Sequence, residues 1–171
     1  MCKINAKVVR VGLKKYFGCE VILPGIPQKF VIFDADTKNI YLISKDYINI
    51  PRYVDFFDYQ ALLDFLQNPL SWQQFKSECV YGALGAPSVN QFISPYKKLK
   101  KEPDGIKSDS FLGFWTSTSY KNSKSLVFVA NNGYMIITGK INDKVAFRPF
   151  ITLKKEAYLV KNKEGTFNVK I

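Results

Sequence analysis

A chain of 171 residues that is 47% hydrophobic and 15% aromatic holds enough apolar side chain for one sizeable core, and predicts a single domain over residues 1–171. It contains no histidine, which excludes the Ser-His-Asp and Cys-His nucleophile systems, histidine-ligated metal sites and the commonest general base. A formal charge of +11 favours an anionic partner: nucleic acid, an acidic glycan or an acidic protein face.

Residues 3–11, Lys-Ile-Asn-Ala-Lys-Val-Val-Arg-Val, carry β-branched residues in partial alternation and predict a strand. Cys19–Leu23 predicts a second, ended by the turn Pro24-Gly25-Ile26-Pro27, so about residues 1–28 read as an N-terminal strand extension. Lys29–Asp34 and Asn39–Ser44 flank a short polar loop, the composition of a hairpin. From Asp55 the period changes. Phe56, Tyr59, Leu62, Leu63 and Leu66 recur at three and four, Asp55 serves as a cap and Asn68-Pro69 as a stop, predicting a helix of about three turns. Ser71-Trp72-Gln73-Gln74 fits a capping box, with Trp72, Phe75, Cys79 and Val80 as the buried stripe of a second helix ending near Gly82. A second box, Ser88-Val89-Asn90-Gln91, opens a shorter helix with Val89, Phe92, Ile93 and Tyr96 on one face, and Pro95 ends it near Ser94.

Residues 97–110 are charged and turn-rich, an exposed loop whose Lys97, Lys98, Lys100 and Lys101 form a patch for an anionic partner beside Tyr96. Lys121, Lys124, Lys154, Lys155, Lys161 and Lys163 add to the charge of the C-terminal half; singly placed lysines equally suit a solvated surface. The final third predicts strands at 112–118, 125–130, 133–138 and 145–153, then a hairpin of 157–161 with 166–170. Trp115, next to Phe114, is expected to anchor the core, and Arg148 beside Pro149 to be a buried clamp donating to backbone carbonyls. Ligand-binding side chains are expected on loops: Tyr120, Lys121 and Asn122 after the tryptophan strand, and Asn131, Asn132 and Tyr134 at the hairpin. Their amide, aromatic and lysine groups suit sugar hydroxyls, phosphates or protein backbone, although Asn131 and Asn132 equally suit a turn at positive φ.

The order strands, helices, strands predicts an α+β fold, two to three helices packed on twisted antiparallel sheets. Cys2, Cys19 and Cys79 are odd in number and form no C-x-x-C pair, so reduced thiols are expected and neither a disulfide framework nor a zinc site. No metal or cofactor is expected. No segment approaches the ~18 apolar residues of a membrane span, and none of signal-peptide character precedes Arg10, so a cytoplasmic protein without membrane insertion is expected. The carboxylate pairs Asp34 with Asp36, Asp55 with Asp58 and Glu102 with Asp104 each lie where a turn or a helix cap accounts for them.

Lys29-Phe-Val-Ile-Phe-Asp34, Ile40–Lys45, Gly85-Ala-Pro-Ser-Val-Asn-Gln-Phe92, Gly113-Phe-Trp-Thr-Ser117, Asn132-Gly133 and Val145–Leu153, in that order, resemble an uncharacterised family of bacterial and phage domains. That family is similar to the C-type-lectin-like fold of formylglycine-generating enzymes and retroelement variable proteins. The resemblance, over about residues 29–155, implies helices on a twisted antiparallel sheet with a loop-rich binding face. The enzymatic relatives use a late cysteine pair, and no cysteine follows Cys79. Glu102-Pro103-Asp104 is similar to the acidic-proline-amide loop of calcium-dependent lectins, whose tryptophan-asparagine-aspartate strand has no counterpart here. The expectation is a non-enzymatic binding or structural module of phage or prophage origin, in a virion or on a surface, with a protein or glycan partner. The second reading is a basic protein that binds nucleic acid or an acidic protein, such as an inhibitor of a host defence complex.

Overall fold

Ala6, Val9, Leu13 and Tyr16 recur at intervals of three and four, and all four are buried in the computed structural model, which describes residues 2–55, 57–68, 73–81, 85–93, 111–120, 122, 124–130, 134–141 and 144–171. That spacing belongs to a helix. Its elements in chain order are α1 (Ala6–Val11), α2 (Leu13–Tyr16), β1 (Glu20–Ile22), β2 (Phe30–Ala35), β3 (Ile40–Ser44), α3 (Tyr59–Gln67), β4 (Gly113–Tyr120), β5 (Ser125–Ala130), β6 (Met135–Thr138), β7 (Val145–Ala146), β8 (Phe150–Thr152), β9 (Tyr158–Lys161) and β10 (Phe167–Lys170). A further helical segment covers 89–93. The fold is mixed α+β, with helices packed against two sheets. Among the described residues no helix is long and apolar enough to cross a membrane. The chain divides into two compact units, one of Met1–Asp46, Trp72–Leu84 and Phe150–Ile171, the other of Tyr47–Ser71 and Gly85–Pro149.

The first unit is built on a six-stranded sheet in the order β8-β3-β2-β1-β10-β9. The strand expected at 3–11 is instead helical: Asn5 caps α1 by accepting from the Val8 N–H at 3.2 Å, and the buried three-four spacing outweighs the β preference of Val8, Val9 and Val11. Both α1 and α2 lie against β2. The β2–β3 hairpin forms where expected, and its loop is tied by one side chain. Asp36 Oδ1 accepts from the backbone N–H groups of Lys38 and Asn39, both at 2.7 Å, and Oδ2 accepts from the Tyr41 hydroxyl at 2.6 Å. Partial burial alone would raise the Asp36 pKa, but these bonds from Tyr41, Lys38 and Asn39 favour the carboxylate and hold it at about 2. Burial and the same bond push Tyr41 up to about 12. The second helix expected from Ser71 does not form over 73–81. Gln73–Phe75 make one 3₁₀ turn, and Val80 pairs with Leu153 as a β-bridge. Phe75, Cys79 and Val80 are buried all the same, Phe75 edge-on to Phe30 at 6.3 Å. Their spacing of four and one serves a turn and a bridge as well as a helix face.

The second unit carries a four-stranded sheet in the order β6-β5-β4-β7. The helix expected from Asp55 begins later. Asp58, not Asp55, caps α3 by accepting from the Ala61 N–H at 2.8 Å, while Asp55 accepts from Phe57 N–H in the preceding turn. Ser88 and Gln91 do form their reciprocal box, Ser88 N–H to Gln91 Oε1 at 2.8 Å and Gln91 N–H to Ser88 Oγ at 3.3 Å.

The strand expected over 145–153 is two strands. β7 pairs parallel with β4, β8 antiparallel with β3, and the break falls at Phe147-Arg148-Pro149, where proline has no N–H to offer a ladder. The sheets are therefore not purely antiparallel, since β1 also pairs parallel with β10.

Candidate functional site

Within the second unit, α3 buries Leu62, Leu63, Phe65 and Leu66 and leaves Gln60 and Gln67 on its exposed side. Phe65 meets Phe147 edge-on at 5.3 Å, and α3 packs against β4. What fixes the helix against this sheet is an irregularity in β4. Between Trp115 and Ser119 the register with β5 shifts, and the Thr116 hydroxyl donates to the Val127 carbonyl at 2.8 Å. The bulge aims the Ser117 carbonyl at the Gln67 side-chain amide, which donates at 2.9 Å, and the Thr118 hydroxyl accepts from Val89 N–H at 3.0 Å.

A cleft of about 540 Å³ opens where the first turns of α3 face the β4–β5 hairpin end. Phe57, 70% exposed, offers an aromatic ring, and the ring of Tyr59 and the side of Leu63 add apolar wall. Gln60 donates to Asp64 at 2.7 Å and Gln67 to Ser117, which leaves each amide carbonyl as an acceptor. Asp58 contributes its second carboxylate oxygen beside its capping bond. The Tyr59 hydroxyl is buried and has no partner among the described residues, a polar atom whose isolation costs about 1–3 kcal/mol. Among the described residues the only cation lining the cleft is Lys124, and its backbone sits at φ 48°, the one non-glycine residue there with positive φ. Strain of that kind persists only where the surroundings enforce it.

Tyr120 and Asn122 lie exposed at this same hairpin end, Tyr120 paired with Ser125. Tyr134, 71% exposed, lies at the other end of β5, about 17 Å away at the usual rise per residue. The structure thus separates these candidates into two groups. Lys121, Asn131, Asn132 and the lysines Lys97, Lys98, Lys100 and Lys101 lie outside the described residues. Trp115 is fully buried, edge-on to Phe128 at 5.6 Å, with its indole N–H unpartnered among the described residues. Arg148 is 2% exposed, its guanidinium 5.6 Å from the Tyr47 ring and 5.5 Å from the Phe114 ring. Burial pushes Tyr47 up to about 12 against the opposing pull of that guanidinium.

Comparison with protein-family models, curated proteins and solved structures finds no match to this chain. Its own geometry carries the reading. Among the described residues no group of three His, Cys, Asp or Glu is placed to hold a metal ion. Burial pushes the thiols of Cys19 and Cys79 up, which keeps them protonated and weakly nucleophilic at neutral pH. The cleft can stack a ring, accept hydrogen bonds through two amides and a carboxylate, and pair one anionic group. Sequence reading gives Phe57, Gln60 and Gln67 no role, puts Tyr59 in the helix stripe and Asp58 at a turn or cap, and holds no local signal that would join them to Lys124.

Proposed function

We propose that this chain is a non-enzymatic binding module whose cleft takes a hydroxyl-rich ring ligand bearing an anionic group, of which an acidic glycan is the fitting class. The observation that carries the reading is Lys124, a lysine held at φ 48° in the lining of the cleft. Phe57 supports it with an exposed ring for the apolar face of a sugar, and Gln60, Gln67 and Asp58 with acceptors for hydroxyls. A volume of about 540 Å³ falls within the range of small-ligand sites. The ordered motifs support the finer reading, a C-type-lectin-like scaffold of phage or prophage origin serving a virion or a surface partner.

A glycan array carrying matched acidic and neutral sugars tests it. Binding is expected to acidic members, with at least a tenfold loss in Lys124→Gln and in Phe57→Ala. Absence of binding across the array, or binding indifferent to both substitutions, overturns the reading.

A further inference from the structure

We infer that β6 receives an extended, acidic-flanked segment of another protein as an added strand. Two sheets have four outer edges, and among the described residues a covering segment is found on three of them. Ile4 bridges Leu159 on β9, Val80 bridges Leu153 just past β8, and Ile48 bridges Phe147 just past β7. Each cover is made by backbone bonds, such as Ile4 N–H to Leu159 O at 3.0 Å, Tyr81 N–H to Thr152 O at 2.8 Å and Ile48 N–H to Phe147 O at 3.0 Å. Among the described residues β6 has no such cover. The bond from Ala130 N–H to Tyr134 O at 2.8 Å sets the phase of its ladder. Residues 134, 136 and 138 exchange bonds with β5, so the N–H and C=O groups of Met135 and Ile137 point away from the sheet.

The side chains along this edge are apolar on both faces. Ile136 is 41% exposed and Ile137 59%. Monomeric proteins blunt such edges with lysine, proline or a covering segment, and Met135–Thr138 contains none of these. The features match strand addition, in which main-chain bonds hold an extended peptide and alternate side chains choose it. Charge selects the occupant. Two residues past Thr138 stands Lys140, which has no carboxylate partner among the described residues, and the unit's described carboxylates, Asp55, Asp58 and Asp64, lie in the 47–68 segment. An incoming strand with carboxylates at its flank answers that lysine and the chain's charge of +11. A second copy of the chain brings a charge of +11 against +11 and only four residues of edge.

The test uses the full chain and a pool of 12-residue peptides with Glu or Asp at both ends and randomised apolar residues at alternate positions. Selected peptides are expected to bind at least tenfold more tightly than versions with Lys at the ends. They are expected to slow hydrogen exchange at the Met135 and Ile137 amides and to lose binding when N-methylated along one edge, a change that leaves the protein untouched. Ile137→Pro removes one outward donor and is expected to abolish binding while circular dichroism stays unchanged. Peptide binding without protection at these two amides, or indifferent to N-methylation, overturns the inference as charge attraction elsewhere. So does an empty selection, and so does a dimer in sedimentation equilibrium that Ile137→Glu dissociates, which would make the occupant a second copy. Retention of acidic-glycan binding in Ile137→Pro keeps this result separate from the fate of the cleft.

Discussion

Replacing Lys124 with glycine separates two properties that the residue combines. Its φ of 48° lies in the left-handed region, which costs an L-residue about 1–2 kcal/mol. Glycine removes that cost but widens the freedom of the unfolded chain, which returns about 0.4–1 kcal/mol. The net expectation is a gain of about 0.5–1 kcal/mol, or roughly 1–4 °C in Tm for a chain of this size. The ammonium is lost from the cleft at the same time. A hydrogen bond to a charged group is worth about 1.5–3 kcal/mol net, so affinity for an acidic glycan is expected to fall about 10- to 100-fold. Urea unfolding at constant m-value reads the first quantity and titration calorimetry the second. Lys124→Asn, which tolerates left-handed backbone with less unfolded-state freedom, is expected to match or exceed the glycine variant in stability and to bind as weakly. A glycine variant less stable than the parent by more than about 0.5 kcal/mol refutes the strain argument. One that keeps full affinity refutes the role of the charge.

Four further substitutions read other parts of the fold. In Gly113→Ala the new Cβ would lie 2.0 Å from the Val129 carbonyl oxygen and 2.9 Å from Ala130 Cα. Both obstacles are backbone of the paired strand, so a loss of about 3 kcal/mol or more is expected in thermal unfolding, and a loss under about 1 kcal/mol counts against the strand pairing described. Asp58→Ala is expected to cost about 1 kcal/mol in urea unfolding and Asp55→Ala much less, because only Asp58 caps α3; equal losses contradict that assignment. Tyr41→Phe removes the bond to Asp36 and is expected to cost about 1 kcal/mol at pH 7, a figure lowered for partial solvent exposure. The Asp36 pKa is depressed to about 2, so its contribution is full above the unfolded value near 3.8 and is lost as pH falls through about 2. The Tyr41 pKa is raised to about 12, so its contribution is full below the unfolded value near 10 and is lost as pH rises through about 12. The stability difference between parent and Tyr41→Phe is therefore expected to shrink on both flanks, and a difference flat from pH 2 to 12 rules out the pairing.

Sequence reading succeeded where an element is closed by bonds between near neighbours. The β2–β3 hairpin is announced by Asp36, whose carboxylate binds two N–H groups within three residues, and the helical segment at 89–93 by a box in which Ser88 and Gln91 hold each other. It failed where two readings share a local pattern. Val8, Val9 and Val11 look like a strand, and only the burial of Ala6, Val9, Leu13 and Tyr16 against β2 decides for a helix. Likewise Phe75, Cys79 and Val80 satisfy a helical stripe on paper, while a bridge to Leu153, distant in the chain, settles their conformation.

The cleft and the β6 edge belong to a third class, in which no local pattern exists to be read. Gln60 and Lys124 are more than sixty positions apart, and what brings them to one cleft is the β4 bulge, whose Ser117 carbonyl takes a bond from Gln67. Nothing in Thr-Ser-Thr-Ser announces that two extra residues will leave the ladder there. The strain at Lys124 is equally silent, since lysine is an ordinary surface residue until its φ is known. Ile136 and Ile137 signal a strand plainly enough, yet a strand's position at the edge or the centre of a sheet depends on every other pairing. Residues whose role is set by non-local pairing keep the composition of surface or core and give no sign of the site they form. The features proposed here to bind partners, a strained lysine and a strand without cover among the described residues, are departures from rules that the rest of the fold obeys, and departures become visible only once the rule has coordinates to be tested against.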